Sequence, residues 1–403
     1  MNSAPPNPFA TLWPSMPQMF TPDPKEFFDR LAAMPKVIET AQRVKVGATP
    51  RDVIYREDKL KVLRYQSPVE KKYRTPLVLV FALVNRPYIL DLLPHKSVVQ
   101  QFLKAGFDVY LVDWGVPTDS DKHLTIEDYI ELYLHNVVKS VCEYTGEPQV
   151  SLLGYCMGGT LSAMYTALHQ DMVKNFILMA APVDWSDRDA LLSVWTDAKY
   201  FDVDKVIDTF GNAPPAWLQG SYAILKPVSN LIEKYLGFYE RMTDEKFVEE
   251  FFAMETWVND NIPVAGETFR QFVKDCFQKN LLVQGKLRLG AKTVNLANIT
   301  CPILNLMASG DHLVPCGQSA PFNDCVGSKD RKAITFPAGH IGLSVGSKAQ
   351  KELWPKVCEW LGERSDAVAS GPRAGRKTPG APAVTAGAPA GRGKRVTPRR
   401  NRR

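Results

Sequence analysis

Cys156 stands among glycines in Gly154-Tyr155-Cys156-Met157-Gly158-Gly159, and two residues far downstream can complete its chemistry. A thiol attacks well only as thiolate, so it needs a base, and the base needs a carboxylate to hold its ring. The chain has six histidines, and only His169, His312 and His340 follow Cys156. His169 falls in the helix-compatible run that the glycine motif opens, so it points away and reads as a surface or packing residue. His340 lies in FPAGHIG (336–342), directly behind the apolar run 333–336, and Asp311 lies in SGDHLVP (309–315), closing the apolar run 302–308. Each has a bland reading by itself: a small core cysteine, a loop aspartate, a capping histidine. Together, in the order cysteine, aspartate, histidine, each behind an expected strand, they read as a Cys156–His340–Asp311 triad for attack on an acyl carbonyl. His312 adjoins the acid and either packs or supports its charge from behind.

The elements that must position these residues follow from the same segments. An apolar strand (150–153), a glycine-flanked nucleophile and a small-residue helix (160–168) form the nucleophile elbow of the α/β-hydrolase fold. The glycines are expected where side chains would collide with the neighbouring strand and helix. The amide of Met157 would open the helix and point at a developing oxyanion. The fold's other oxyanion donor comes from the loop after the third strand; strand 77–81 and loop 82–86 make the Val84 amide that donor. Arg86, beside this loop, is a candidate for substrate phosphates or a structural arginine. Strands are expected at 61–66, 77–81, 108–113, 149–153, 176–181, 303–308 and 333–336. Helical patterns alternate with them, as at 125–142 and 348–361, so the fold class is α/β with a mostly parallel, doubly wound sheet. The interval between Cys156 and Asp311 exceeds what two strand–helix units need. Its surplus is rich in aromatics at helical spacing, among them Trp217, Tyr222, Phe251 and Trp257, and reads as a mainly helical cap. Most of those aromatics are expected to pack the cap, and some to line an acyl channel.

The expected organisation is a Pro-rich N-terminus at 1–24, a hydrolase core at 25–184 with a helical lead-in, a cap at 185–290, the rest of the core at 291–362 and a basic tail at 363–403. From Ala367 onward there is no aromatic residue and no acid, a composition that reads as disordered. Ten of the 49 Lys and Arg lie there, leaving 39 against 43 acids, so the overall +6 belongs to the tail. Such a tail binds polyanions, DNA included, without sequence preference, or simply aids solubility. Seven cysteines without CxxC spacing and scattered histidines argue for reduced thiols and no metal site. No apolar run approaches a membrane span and the start lacks the form of an export signal.

Tyr55-Arg56-Glu57-Asp58-Lys59-Leu60, ALVNRPYIL (82–90), DVYLVDWG (108–115), the cysteine elbow, AGETFRQF (265–272), DHLVP (311–315) and GHIG (339–342) resemble the catalytic subunit of polyhydroxyalkanoate synthases. The short type, class III or class IV, fits best, and the resemblance runs over 55–361. It implies polymerisation of (R)-3-hydroxyacyl-coenzyme A, with 3-hydroxybutyryl the expected monomer, through an acyl thioester on Cys156, with His340 and Asp311 completing the triad. It implies no cofactor, since coenzyme A enters with the substrate and leaves as product. It further implies a small helical second subunit, a homodimer or hetero-oligomer, and a cytoplasmic enzyme at the polymer granule surface. The rivals are an acyl-coenzyme A thioesterase, a dienelactone-hydrolase-like cysteine hydrolase and a non-catalytic binding protein of the same fold. The long cap and the 82–90 loop argue against the compact hydrolase, and the complete triad against the binding protein.

Overall fold

In the computed structural model, residues 23–187 and 190–368 are described. Nearly all of the Pro-rich start expected at 1–24 and most of the tail expected at 363–403 lie outside the described residues. Eight strands make the main sheet: β1 (Arg51–Glu57), β2 (Leu60–Tyr65), β3 (Leu77–Val80), β4 (Val109–Asp113), β5 (Val150–Tyr155), β6 (Val173–Met179), β7 (Ile303–Ala308) and β8 (Arg331–Phe336). Their order is β1-β2-β4-β3-β5-β6-β7-β8. β1, β2 and β4 pair antiparallel, and every pairing from β4 to β8 is parallel. The central strands β3, β5 and β7 are buried on both faces, which is why they read as unbroken apolar runs. β1 was absent from the expected strands. Its sequence RDVIYRE has few apolar positions and is largely exposed, so only its pairing with β2 makes it a strand.

Four helices carry the rest of the argument: α1 (Pro24–Arg43), α2 (Val98–Ala105), α3 (His135–Thr145) and α4 (Met157–Leu168). α4 follows the elbow and is buried along almost its whole length, so its small residues let it sit against the sheet. α1, expected as a lead-in to the core, packs on the cap instead. Val37 joins Met242 and Val248 in a small separate apolar cluster flanked by Phe238 and Phe252, and the Arg30 guanidinium lies 4.7 Å from the Tyr239 ring centre.

The cap is built from helices Val203–Phe210, Pro215–Ala223, Lys234–Arg241, Glu245–Asn259 and Gly266–Gln271, with shorter turns between. The two ends of this insertion are tied together. Asn280 accepts from the Trp185 amide at 3.0 Å and donates to Asp184 Oδ1 at 2.7 Å. Beyond the last helix (Trp354–Gly362) the chain stays on the body as far as Val368. The Arg74 amide donates to the Asp366 carbonyl (2.7 Å) and the Val368 amide to that of Lys72 (2.8 Å), so the first residues of the expected tail are ordered against the body. Among the described residues no helix is long and apolar enough to cross a membrane.

Candidate active site

The elbow places the sulfur. Cys156 has φ 57° and ψ −135°, a left-handed conformation that a non-glycine residue holds only when its surroundings force it. Its amide donates to the Met179 carbonyl on β6 (2.9 Å), which pins the turn to the sheet. The glycines leave room for this. A Cβ on Gly154 would lie 2.5 Å from the Gly159 Cα, one on Gly158 2.4 Å from the Phe81 carbonyl oxygen, and one on Gly159 2.5 Å from the Ala181 Cβ. Gly158→Ala should therefore destabilise the fold by about 3 kcal/mol, seen as a lower urea midpoint, because backbone atoms cannot yield as a side chain can. An unchanged midpoint would mean the elbow is more pliable than its contacts imply.

Asp311 and His340 stand on the loops behind β7 and β8, and the two loops are joined. The Gly310 amide donates to the Ala338 carbonyl (2.9 Å) and that of Ser309 to Phe336 (2.9 Å). Asp311 Oδ1 accepts from the amides of Leu313 (2.9 Å) and Val314 (2.8 Å), and Oδ2 lies 2.7 Å from His340 Nδ1. The carboxylate is wholly buried and the imidazole nearly so. Burial is the largest influence on His340 and lowers its pKa. The charges of Cys156 and Asp311, with the hydrogen bond to Asp311, outweigh it, holding the imidazole well above its usual range. The ring is thus held to the carboxylate through Nδ1, and it lines the same cavity as Cys156. Tyr155 adds a second restraint: its hydroxyl donates to the His340 carbonyl (2.9 Å) and its ring stacks on the imidazole at 5.2 Å.

The loop after β3 is clamped from both sides. Trp114 Nε1 donates to the Phe81 carbonyl (3.0 Å) from the core, and Trp257 Nε1 to the Arg86 carbonyl (2.8 Å) from the cap. Val84 and Met157 line one cavity with Cys156 and His340. Met157 is the first residue of α4, where an amide has no carbonyl partner within the helix. Asn85, next to Val84, has φ 63°, and its buried side-chain oxygen has no partner among the described residues. The cavity, about 820 Å³, lies between the C-terminal ends of the strands and the cap, which contributes Phe201, Trp217, Phe251, Trp257, Phe269 and Phe272 to its lining. The cavity wall is largely apolar around the half-buried Cys156, an environment that disfavours water as acyl acceptor.

Residues 76–347 match the family model described as alpha/beta hydrolase fold, and residues 37–102 the one described as poly-beta-hydroxybutyrate polymerase (PhaC) N-terminus. The poly(3-hydroxyalkanoate) polymerase subunit PhaC of Haloferax mediterranei is 46% identical over 341 residues, spanning 85% of this chain and 69% of its own length. The chain belongs to the PhaC family of poly(3-hydroxyalkanoate) polymerases. As such it is an acyltransferase on an α/β-hydrolase fold. The subunit of the same name from Allochromatium vinosum is 40% identical over 350 residues, covering 86% of this chain and 98% of that one. Among solved structures, BpoC of Mycobacterium tuberculosis aligns with a TM-score of 0.50 at 12% identity, over 77% of this chain and all of the other, a likeness of fold alone.

Two residues of this PhaC-family chain do not stand where expected. His312 neither packs nor supports the acid: it is exposed, because the turn after Asp311 spends the carboxylate on the two following amides and directs the intervening side chain outward. Arg86 is not among the residues lining the cavity; its Nε pairs with Asp260 Oδ1 at 3.3 Å while Tyr88 donates to Asp260 Oδ2 (3.1 Å), so it joins the loop to the cap. Tyr155, Trp114 and Asn85 were missed as parts of the site. Tyr155 precedes the nucleophile inside a buried strand, where an aromatic residue reads as core, and nothing in its letters signals a partner 185 positions away. His169 packs as expected, near Glu131 (3.1 Å) and against the Tyr165 ring.

Proposed function

We propose that the chain polymerises (R)-3-hydroxyacyl-coenzyme A, 3-hydroxybutyryl first among them, by way of an acyl thioester on Cys156. The observation that carries this reading is the Asp311–His340 pair, 2.7 Å apart, facing the same apolar cavity as Cys156 in a PhaC-family chain. The Cys156 thiolate attacks the thioester carbonyl, and the amides of Met157 and Val84 receive the oxyanion. The C–S bond to coenzyme A breaks as the oxyanion collapses, and the departing sulfur takes the proton from the His340 imidazolium. Exchange of one thioester for another is nearly isoenergetic, so the acyl group stays activated; a serine ester would lose part of that drive. In elongation His340 takes the proton of the incoming 3-hydroxyl, whose oxygen attacks the acyl-cysteine and frees the sulfur. Asp311 holds the ring and stabilises its charge.

No cofactor enters this scheme. A small helical second subunit, assembly as a homodimer or hetero-oligomer, a cytoplasmic site at the polymer granule surface and polyanion binding by the basic tail complete the reading. Free thiol and insoluble polymer should rise together when the purified chain, with and without a candidate partner subunit, receives 3-hydroxybutyryl-coenzyme A. Thiol release with only soluble hydroxy acid would instead make the chain a thioesterase.

A further inference from the structure

Among the polar groups that the cap brings to the cavity of Cys156, the hydroxyl of Tyr222 is left unused by the scheme above. This residue sits near the end of helix Pro215–Ala223 and lines the same cavity as Cys156 and His340. Its ring is partly buried against the main core, and its backbone carbonyl accepts from Asn230 Nδ2 (3.4 Å). Neighbouring polar side chains of the lining are committed: Ser221 Oγ donates to the Trp217 carbonyl (2.9 Å), Asn261 to that of Pro215 (3.0 Å) and Gln318 to Ser193 Oγ (2.9 Å). The Tyr222 hydroxyl has no hydrogen-bond partner among the described residues. Burial first, and then the charge of Cys156, push its pKa well up, so the phenol keeps its proton and lies close enough to the sulfur to feel that charge. A tyrosine hydroxyl on a cavity wall, with no acceptor among the described residues, is free to donate to a bound ligand.

Resting on the function proposed above, the acyl group itself offers the acceptor. When a short 3-hydroxyacyl group is bound to Cys156, its carbonyl oxygen is assigned to the amides of Met157 and Val84. The sulfur is assigned His340 as its base. The one remaining polar atom is the oxygen on C3, two carbons from the carbonyl. That oxygen is a hydroxyl in the first monomer and an ester oxygen once the chain has grown. Only a donor can serve it in both states, and a neutral phenol is one. We propose that Tyr222 donates a hydrogen bond to the C3 oxygen of the acyl group on Cys156 and thereby selects 3-oxygenated acyl thioesters over unsubstituted ones.

Tyr222→Phe keeps the ring and removes the donor. The test compares wild type and variant on 3-hydroxybutyryl-coenzyme A and on butyryl-coenzyme A, which lacks the C3 oxygen. Acylation of Cys156 in a single turnover is read by intact-protein mass spectrometry, and kcat and KM for thiol release from the hydroxyacyl substrate are measured beside it. The expected result is a fall of about tenfold in the rate with the hydroxyacyl substrate and in its kcat/KM, with butyryl transfer unchanged. Equal loss on both substrates would assign Tyr222 to packing, and no loss on either would remove it from recognition; each overturns the proposal. Wild-type protein that becomes acylated by neither thioester would bring down the function reading, and this proposal with it.

Discussion

Replacing Cys156 with alanine should abolish both coenzyme A release and polymer formation, a loss on the order of 10⁴-fold or more, while the protein still folds. The size follows from the site's construction. The cavity offers no second nucleophile on an equivalent turn, since only Cys156 stands at the strained elbow residue with φ 57° at the head of α4. The other six cysteines are free thiols on other elements, and the most buried have pKa values pushed up by burial, Cys301 to about 11 and Cys358 to about 12. Thiol release in single and multiple turnovers measures the effect, with a melting curve to show that the fold survives. Turnover above a hundredth of wild type would remove the acyl-cysteine from the account. Cys156→Ser should be nearly as poor, because an alcohol is far harder for a histidine to deprotonate than a thiol and an oxygen ester stores less of the thioester's free energy.

Asp311→Asn should come second, with a fall of about 10³- to 10⁴-fold in kcat and an intact fold. The carboxylate has two tasks that an amide cannot perform together. One oxygen holds the amides of Leu313 and Val314, and the other lies 2.7 Å from His340 Nδ1 and stabilises its charge. An amide nitrogen turned toward Nδ1 would favour the tautomer that leaves the sulfur facing an N–H instead of a base. The proton on His340 reports the same change. Its folded-state pKa is raised, so the stability tied to that proton is present below the ordinary imidazole range and is lost as pH rises through the raised value. Without the Asp311 charge, burial opposes protonation with less resistance, so the His340 pKa in Asp311→Asn should drop by about a unit or more, followed by ring-proton NMR against pH. An unmoved titration with full activity would show that the carboxylate is only a structural cap.

The chemistry of the site was legible because it depends on a few residue types at constrained places. Glycines at 154, 158 and 159 announce a turn too crowded for side chains, and the Cβ positions built there meet backbone within 2.9 Å. Asp311 was legible because it follows β7, buried throughout and apolar; His340 follows β8, a mostly exposed edge strand marked only by the short run 333–336. What failed at this level was the direction of single side chains. His312 lies next to Asp311 in sequence and faces solvent, whereas Tyr155 lies next to Cys156 and reaches the His340 carbonyl. Adjacent letters look alike until the turn or strand assigns their faces. Arg86 shows the same limit: proximity to the oxyanion loop suggested a substrate role, and the cap's Asp260 takes it.

Local order, periodicity and composition were enough to determine the parallel sheet, the elbow, the placing of Cys156, Asp311 and His340 on turns behind their strands, and the existence of a cap. Those properties arise from short-range sterics and from apolar patterns that any burial must satisfy. Which side chains face the cavity, that α1 packs on the cap, and that Trp114 and Trp257 clamp one loop from opposite sides were decided only by the tertiary structure. Each depends on contacts between segments tens to hundreds of residues apart, which no local pattern encodes.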